Sequence, residues 1–122
     1  MNLILTSLLL ILLNLPMQAI PQGVYQADMD GNMAHIELYE KDGKLFGRLI
    51  ESSNEKAPLG TDILRGLKYK KGKWVGKIYS IKRGKEAKVT VTEKENELQL
   101  TVKAGIMKRK MKWAEVDTDS SP

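Results

Sequence analysis

No cysteine occurs in the 122 residues. That excludes a disulfide framework, thiol catalysis, zinc ribbons and a lipidated amino-terminal Cys. Histidine is nearly absent: His35 stands alone, too little for His-based metal sites or Ser-His-Asp chemistry. There is no Gly-rich phosphate loop and no nucleophile elbow. The length suits one small globular domain and leaves no room for two. Charge is also missing from one place. Residues 1–19 carry none, so all 20 basic and 15 acidic side chains lie beyond them, with a net charge of +5.

Those first residues form a separate object. Leu3 to Leu15 is almost continuous Leu and Ile, broken by Thr6, Ser7 and Asn14. As a helix this run spans roughly 20 Å, short of the ~30 Å hydrocarbon core of a bilayer. Pro16 then ends the helix, because it lacks an N–H and its ring clashes with the preceding turn. Met17-Gln18-Ala19 follows, with small Ala19 at the cleavage point. Residues 1–19 therefore read as a cleaved secretory signal peptide. The expected product is secreted or periplasmic, with no stable membrane span after signal removal. The competing reading is an uncleaved anchor.

Residues 20–116 read as one β domain, and 117–122 as a flexible polar tail. Asp30-Gly31 and Asp42-Gly43 are strong hairpin signals, since both central residues of the tight turn need φ > 0. Between them Ala34, Ile36 and Leu38 alternate with His35, Glu37 and Tyr39. Residues 52–62 are loop by composition, the longest irregular stretch. Ile63 to Lys70 is ambiguous: Leu64 and Leu67 are spaced for a helical turn, Leu67 and Tyr69 for a strand. Further alternating runs place Trp74, Gly76 and Ile78 on one face, then Ala87, Val89 and Val91, and then Leu98, Leu100, Val102 and Ala104. Met107, Arg109, Met111 and Trp113 share the last face, with Lys108, Lys110 and Lys112 opposite. Seven to eight short strands joined by tight turns predict an all-β meander. Closing it removes exposed edges, which favours a small antiparallel up-and-down barrel, lipocalin-like in outline, over a two-sheet sandwich.

The run from Ile36 to Leu49 resembles the signature hairpin of the bacterial domain-of-unknown-function family 2147. Gly72-Lys73-Trp74-Val75-Gly76-Lys77-Ile78-Tyr79 is similar to its second signature, and Arg109 with Trp113 to its closing Arg-x-x-x-Trp strand. Gly23-Val24-Tyr25 matches its opening, with Tyr in place of Trp. The resemblance covers about residues 23–116. It implies a small exported calycin/lipocalin-like barrel and carries over no catalytic residue. Ser80-Ile81 stands where the family has Asp-Pro, and Ala87 where it has Tyr.

The candidate ligand-binding set is Tyr25, Phe46, Trp74, Ile78, Met107, Arg109, Met111 and Trp113. The apolar members either line a pocket for a small hydrophobic ligand or simply fill a barrel only just wide enough for side chains. Arg109 is expected either to close one barrel end over Tyr25 or Trp74 by a cation–π contact, or to reach out to water. Lys108, Lys110 and Lys112, with Lys68, Lys70, Lys71, Lys73 and Lys77, offer a basic face for an anionic surface; the plain reading is a solvated strand face. Nucleic acid is not an expected partner of an exported protein. Asp28-x-Asp30-Gly31-Asn32 fails calcium-loop spacing and reads as a turn. His35 with Glu37 is a weak acid–base pair. The expectation is a non-enzymatic protein with no cofactor and no metal. It binds a small apolar or amphipathic ligand, or serves as an interaction module contacting an anionic surface or a protein partner.

Overall fold

The computed structural model describes residues 20–116. The expected leader (1–19) and tail (117–122) lie outside the described residues. Eight strands follow in chain order: β1 (Gly23–Met29), β2 (Asn32–Lys41), β3 (Lys44–Ser52), β4 (Asp62–Lys70), β5 (Lys73–Ser80), β6 (Lys85–Lys94), β7 (Glu97–Ala104) and β8 (Met107–Glu115). Each pairs antiparallel with its chain neighbours, and β8 returns to β1, so the sheet is a closed up-and-down barrel. The closure is short. Tyr25 with Glu115 and Gln26 with Ala114 are paired across it, and Val116 N–H donates to the Val24 carbonyl at 2.8 Å just beyond them.

The turns explain the meander. Asp30-Gly31, Asp42-Gly43 and Lys71-Gly72 each place two successive residues at positive φ. That twist matches the twist of the flanking strands and so closes a two-residue hairpin. The Asp28 carboxylate of the first turn accepts the Gly31 N–H at 3.0 Å, as the reading of this segment as a turn requires.

The ambiguous stretch is strand β4. Its pairing with β5 shifts register between Arg65 and Lys68, and Gly66 takes φ 61°. The bulge turns Leu64 and Leu67 to the same side, where both are fully buried. A spacing of three inside a strand thus has a backbone cause rather than a helical one.

Strand direction defines two ends. One end holds the Asp42-Gly43, Lys71-Gly72 and Glu95-Asn96 turns. Leu38, Leu45, Leu67, Trp74, Leu98 and Trp113 are buried in that half. Ile20 packs against the core there, and Pro21 beside it is buried. The other end holds the Asp30-Gly31 turn, the loop over residues 53–61, the turn over residues 81–84 and the Gly105-Ile106 turn. Ala34, Leu49, Ile63 and Leu64 are buried in that half, but Met29, Ala57, Ile78, Ile81, Val102 and Met111 around them are only partly buried. The barrel is packed at one end and open at the other. Among the described residues no polar or charged residue is buried, so the packed half is an apolar core.

Candidate functional site at the open end of the barrel

A pocket of about 340 Å³ lies at the open end, between β1, β2, β3, the loop over residues 53–61 and the turn after β5. Buried Ala34 and Leu49, with Met29 and Ala57, give it an apolar floor. Asn32, Ser52 and Asn54 supply amide and hydroxyl groups, and Asp30, Lys56 and Lys82 supply charge of both signs.

Local backbone bonds build this arrangement. Asn32 and Ala34 face the same way by strand alternation. The register shift in the β2–β3 ladder between His35 and Ile36 then brings Ser52 opposite Ala34. The loop after β3 is folded back on the strand it leaves. Gly60 N–H donates to the Leu49 carbonyl at 2.7 Å, and Leu49 N–H donates to the Thr61 carbonyl at 2.9 Å. Its tip is an Asx turn, in which the Asn54 side chain accepts the Lys56 N–H at 3.0 Å. Ser53 Oγ accepts the Met33 N–H at 3.0 Å and donates to Asn32 Oδ1 at 3.3 Å. The loop is therefore tied to β2, and this holds Ala57 and Pro58 beside the pocket.

None of the eight sequence-derived ligand residues lines this pocket. Tyr25, Trp74 and Trp113 are buried in the core. Ile78 and Met111 pack against that core while partly buried. Phe46 is half-buried on the outward side: Leu45 and Gly47 take the inward positions of β3, and Phe46 stacks on Tyr39 with ring centroids 5.5 Å apart. Met107 and Arg109 have inward alternation but are exposed. The closing register explains why. Continuing it from Tyr25–Glu115 brings Met29, the last residue of β1, level with Met111. Met107 and Arg109 therefore stand beyond the end of β1, with no strand on that side to cover them. Tyr25 and Trp74 belong to the opposite half of the barrel, so Arg109 does not close an end over either ring.

The arginines that do cover rings lie elsewhere. Arg48 sits 4.3 Å from the Tyr39 ring centroid and pairs with Glu37 at 2.9 Å. Arg65 lies 4.0 Å from the Tyr79 ring and 3.2 Å from Glu86. His35 faces Glu51 at 3.2 Å rather than Glu37. Tyr39 donates to Asp62 at 2.7 Å. Burial, this hydrogen bond and the nearby Asp62 charge hold its hydroxyl above the usual tyrosine range, partly offset by Arg48. Tyr25 is raised as well, by burial first and then by Glu115 and Glu93.

Sequence reasoning missed Met29, Asn32, Ala34, Leu49, Ala57, Lys56 and Lys82. Large aromatic and Met side chains fill space, whereas a pocket forms where side chains are small. The available signal was the irregular stretch over residues 52–62, which had to cross one end of any closed meander.

Comparison with known proteins agrees with this architecture. A protein of Helicobacter pylori, HP1028, described as belonging to the lipocalin family, superposes with a TM-score of 0.67 at 21% identity. The match covers 83% of this chain and 86% of that one. At that identity the likeness is one of fold. No curated protein is similar enough to be matched. The family model described as "Uncharacterized protein conserved in bacteria (DUF2147)" matches residues 23–115, from the first residue of β1 to the last of β8. The chain belongs to the DUF2147 family of bacterial proteins, and its fold is a lipocalin-like barrel.

Proposed function

We propose that this protein is exported and non-catalytic, and that it binds a small amphipathic molecule at the open end of its barrel. The observation that carries the reading is the mouth pocket, with an apolar floor at Ala34 and Leu49 and a polar rim at Asn32, Asn54, Lys56 and Lys82. Its volume of about 340 Å³ falls at the small end of the usual ~300–1,000 Å³ range for ligand sites. The half below is occupied by Trp74, Trp113 and Leu67. A compact ligand with one polar end suits this shape better than a long chain. No histidine lines the pocket to act as general base, which favours binding over chemistry. The apolar run from Leu3 to Leu15, ended by Pro16 and followed by small Ala19, supports export.

The test is a titration of the chain beginning at Ile20 with octanoate and with 1-anilinonaphthalene-8-sulfonate, followed by methyl NMR. The reading expects saturable shifts at Ala34, Leu49 and Ala57, and their loss in Ala34→Trp, which fills the floor. Methyl signals that stay put for both probes, together with no co-purified mass in native mass spectrometry of protein from its own host, would overturn it.

A further inference from the structure

The outside of the barrel carries lysines that strand register puts in line. Lys77 stands opposite Lys88, Lys88 opposite Lys103, and Lys103 opposite Lys108. All four are exposed. Among the described residues, the ion pairs within 4.0 Å involve His35, Arg48 and Arg65 and none of these lysines. Neighbouring strands lie about 4.8 Å apart, and like charges directly opposite one another destabilise a sheet. Protection of a sheet edge accounts for Lys108 alone, where β8 runs past the end of β1, and not for Lys77, Lys88 and Lys103. Strands β5, β6 and β7 are each paired on both sides, and only an edge strand needs such guarding.

The row ends on the β7–β8 hairpin, which projects past the end of β1. At its tip Ile106 is fully exposed and Met107 is 71% exposed. Lys103, Lys108, Arg109 and Lys110 around that tip are all exposed. No acidic residue occurs from Leu98 to Ala114. An apolar point thus stands on a purely cationic collar, continuous with the lysine row.

We propose that this face docks on an anionic lipid bilayer. Ile106 and Met107 enter the boundary between headgroups and acyl chains, while the lysines rest on the lipid phosphates. A soluble polyanion would engage the lysines but leave a fully bare isoleucine without a partner. A bilayer uses both features at once. The inference is independent of the mouth pocket and stands on different residues.

The experiment is co-sedimentation of the chain beginning at Ile20, which contains all eight strands of the closed barrel, with two vesicle types. One is phosphatidylcholine alone; the other contains roughly one-third phosphatidylglycerol to give a negative surface potential. Binding is expected on the anionic vesicles at low salt and is expected to weaken as salt screens the lysines. Changing Lys88, Lys103 and Lys108 together to Glu is expected to lower affinity at least about tenfold, and Ile106→Asp by about tenfold. Lys103→Gln with Lys108→Gln gives a milder pair should the triple variant fail to fold. Ile106→Trp is expected to add emission that shifts to the blue on anionic vesicles only. The proposal is overturned by equal binding to both vesicle types, by Ile106→Asp binding like the parent, or by added emission in Ile106→Trp that does not shift. Retention on heparin with no vesicle binding would also overturn it, in favour of a soluble polyanion.

Discussion

Gly76 on β5 lies so close to Leu67 on β4 that a Cβ at Gly76 would stand 2.8 Å from Leu67 Cα and 2.9 Å from its Cδ1. The bulge of β4 at Gly66 and the missing side chain at Gly76 are two halves of one fit. Gly76→Ala must move backbone, and a loss of about 1–3 kcal/mol is expected in chemical denaturation. At Gly47 a Cβ would meet Ile36 Cγ2 at 2.9 Å, with Leu38 Cδ2 and Leu64 Cβ each at 3.3 Å, none of them a backbone atom. Those atoms yield more readily, so Gly47→Ala is expected to cost less. Equal losses would mean that the β4 backbone is not the constraint.

Arg109 and Trp113 share a strand and an inward alternation but sit on different sides of the barrel's rim. Arg109→Met is expected to leave the thermal midpoint within about 2 °C of the parent, because Arg109 covers nothing. Trp113→Ala is expected to cost about 3–5 kcal/mol, since its ring is buried in the packed half. A large loss in Arg109→Met would restore the role of a barrel-closing cation.

Alkaline pH should weaken the fold through its tyrosines. The folded state holds the Tyr39 and Tyr25 protons more tightly than the unfolded state does. Their contribution is complete below the ordinary tyrosine value of about 10 and is lost as pH climbs through the raised values. Urea midpoints taken from about pH 9 to about pH 11 are expected to fall less steeply in Tyr39→Phe than in the parent. Parallel curves would show that the hydrogen bond to Asp62 does not couple to folding.

The lysine row makes its own prediction about stability, separate from any partner. Lys88 faces Lys77 on one side and Lys103 on the other. Lys88→Glu replaces two repulsions with two attractions and is expected to raise the thermal midpoint by about 1–4 °C at low salt. The gain should vanish near molar salt, where screening reaches in to about 3 Å. A salt-independent change would place its cause outside the charges.

Much of the fold was legible because period-two alternation and Asp-Gly turns are local signals. Ala34, Ile36 and Leu38 face inward as their spacing requires, and the turns close where φ > 0 is easiest. The bulge at Gly66 was not legible, because a helical spacing and a bulged strand leave the same mark at Leu64 and Leu67. The site was legible only in outline. Alternation shows which way Arg109 points, but burial depends on where the neighbouring strand stops, and β1 stops at Met29 through long-range register. Phe46 has the chemistry of a pocket residue, but it alternates with the buried Leu45 and so lies on the other face of β3. The pocket itself arises from small side chains and a returning loop, and neither has a motif.

Two residue pairs, Tyr25 with Glu115 and Gln26 with Ala114, and the hydrogen bond from Val116 N–H to the Val24 carbonyl hold the ring shut. They act as a clasp rather than a weld. A chain shortened before Ala114 would lose all three fastenings together and become an open ribbon with two bare margins. Such margins pair readily with other strands, so the clipped protein would find its missing neighbour in another copy of itself.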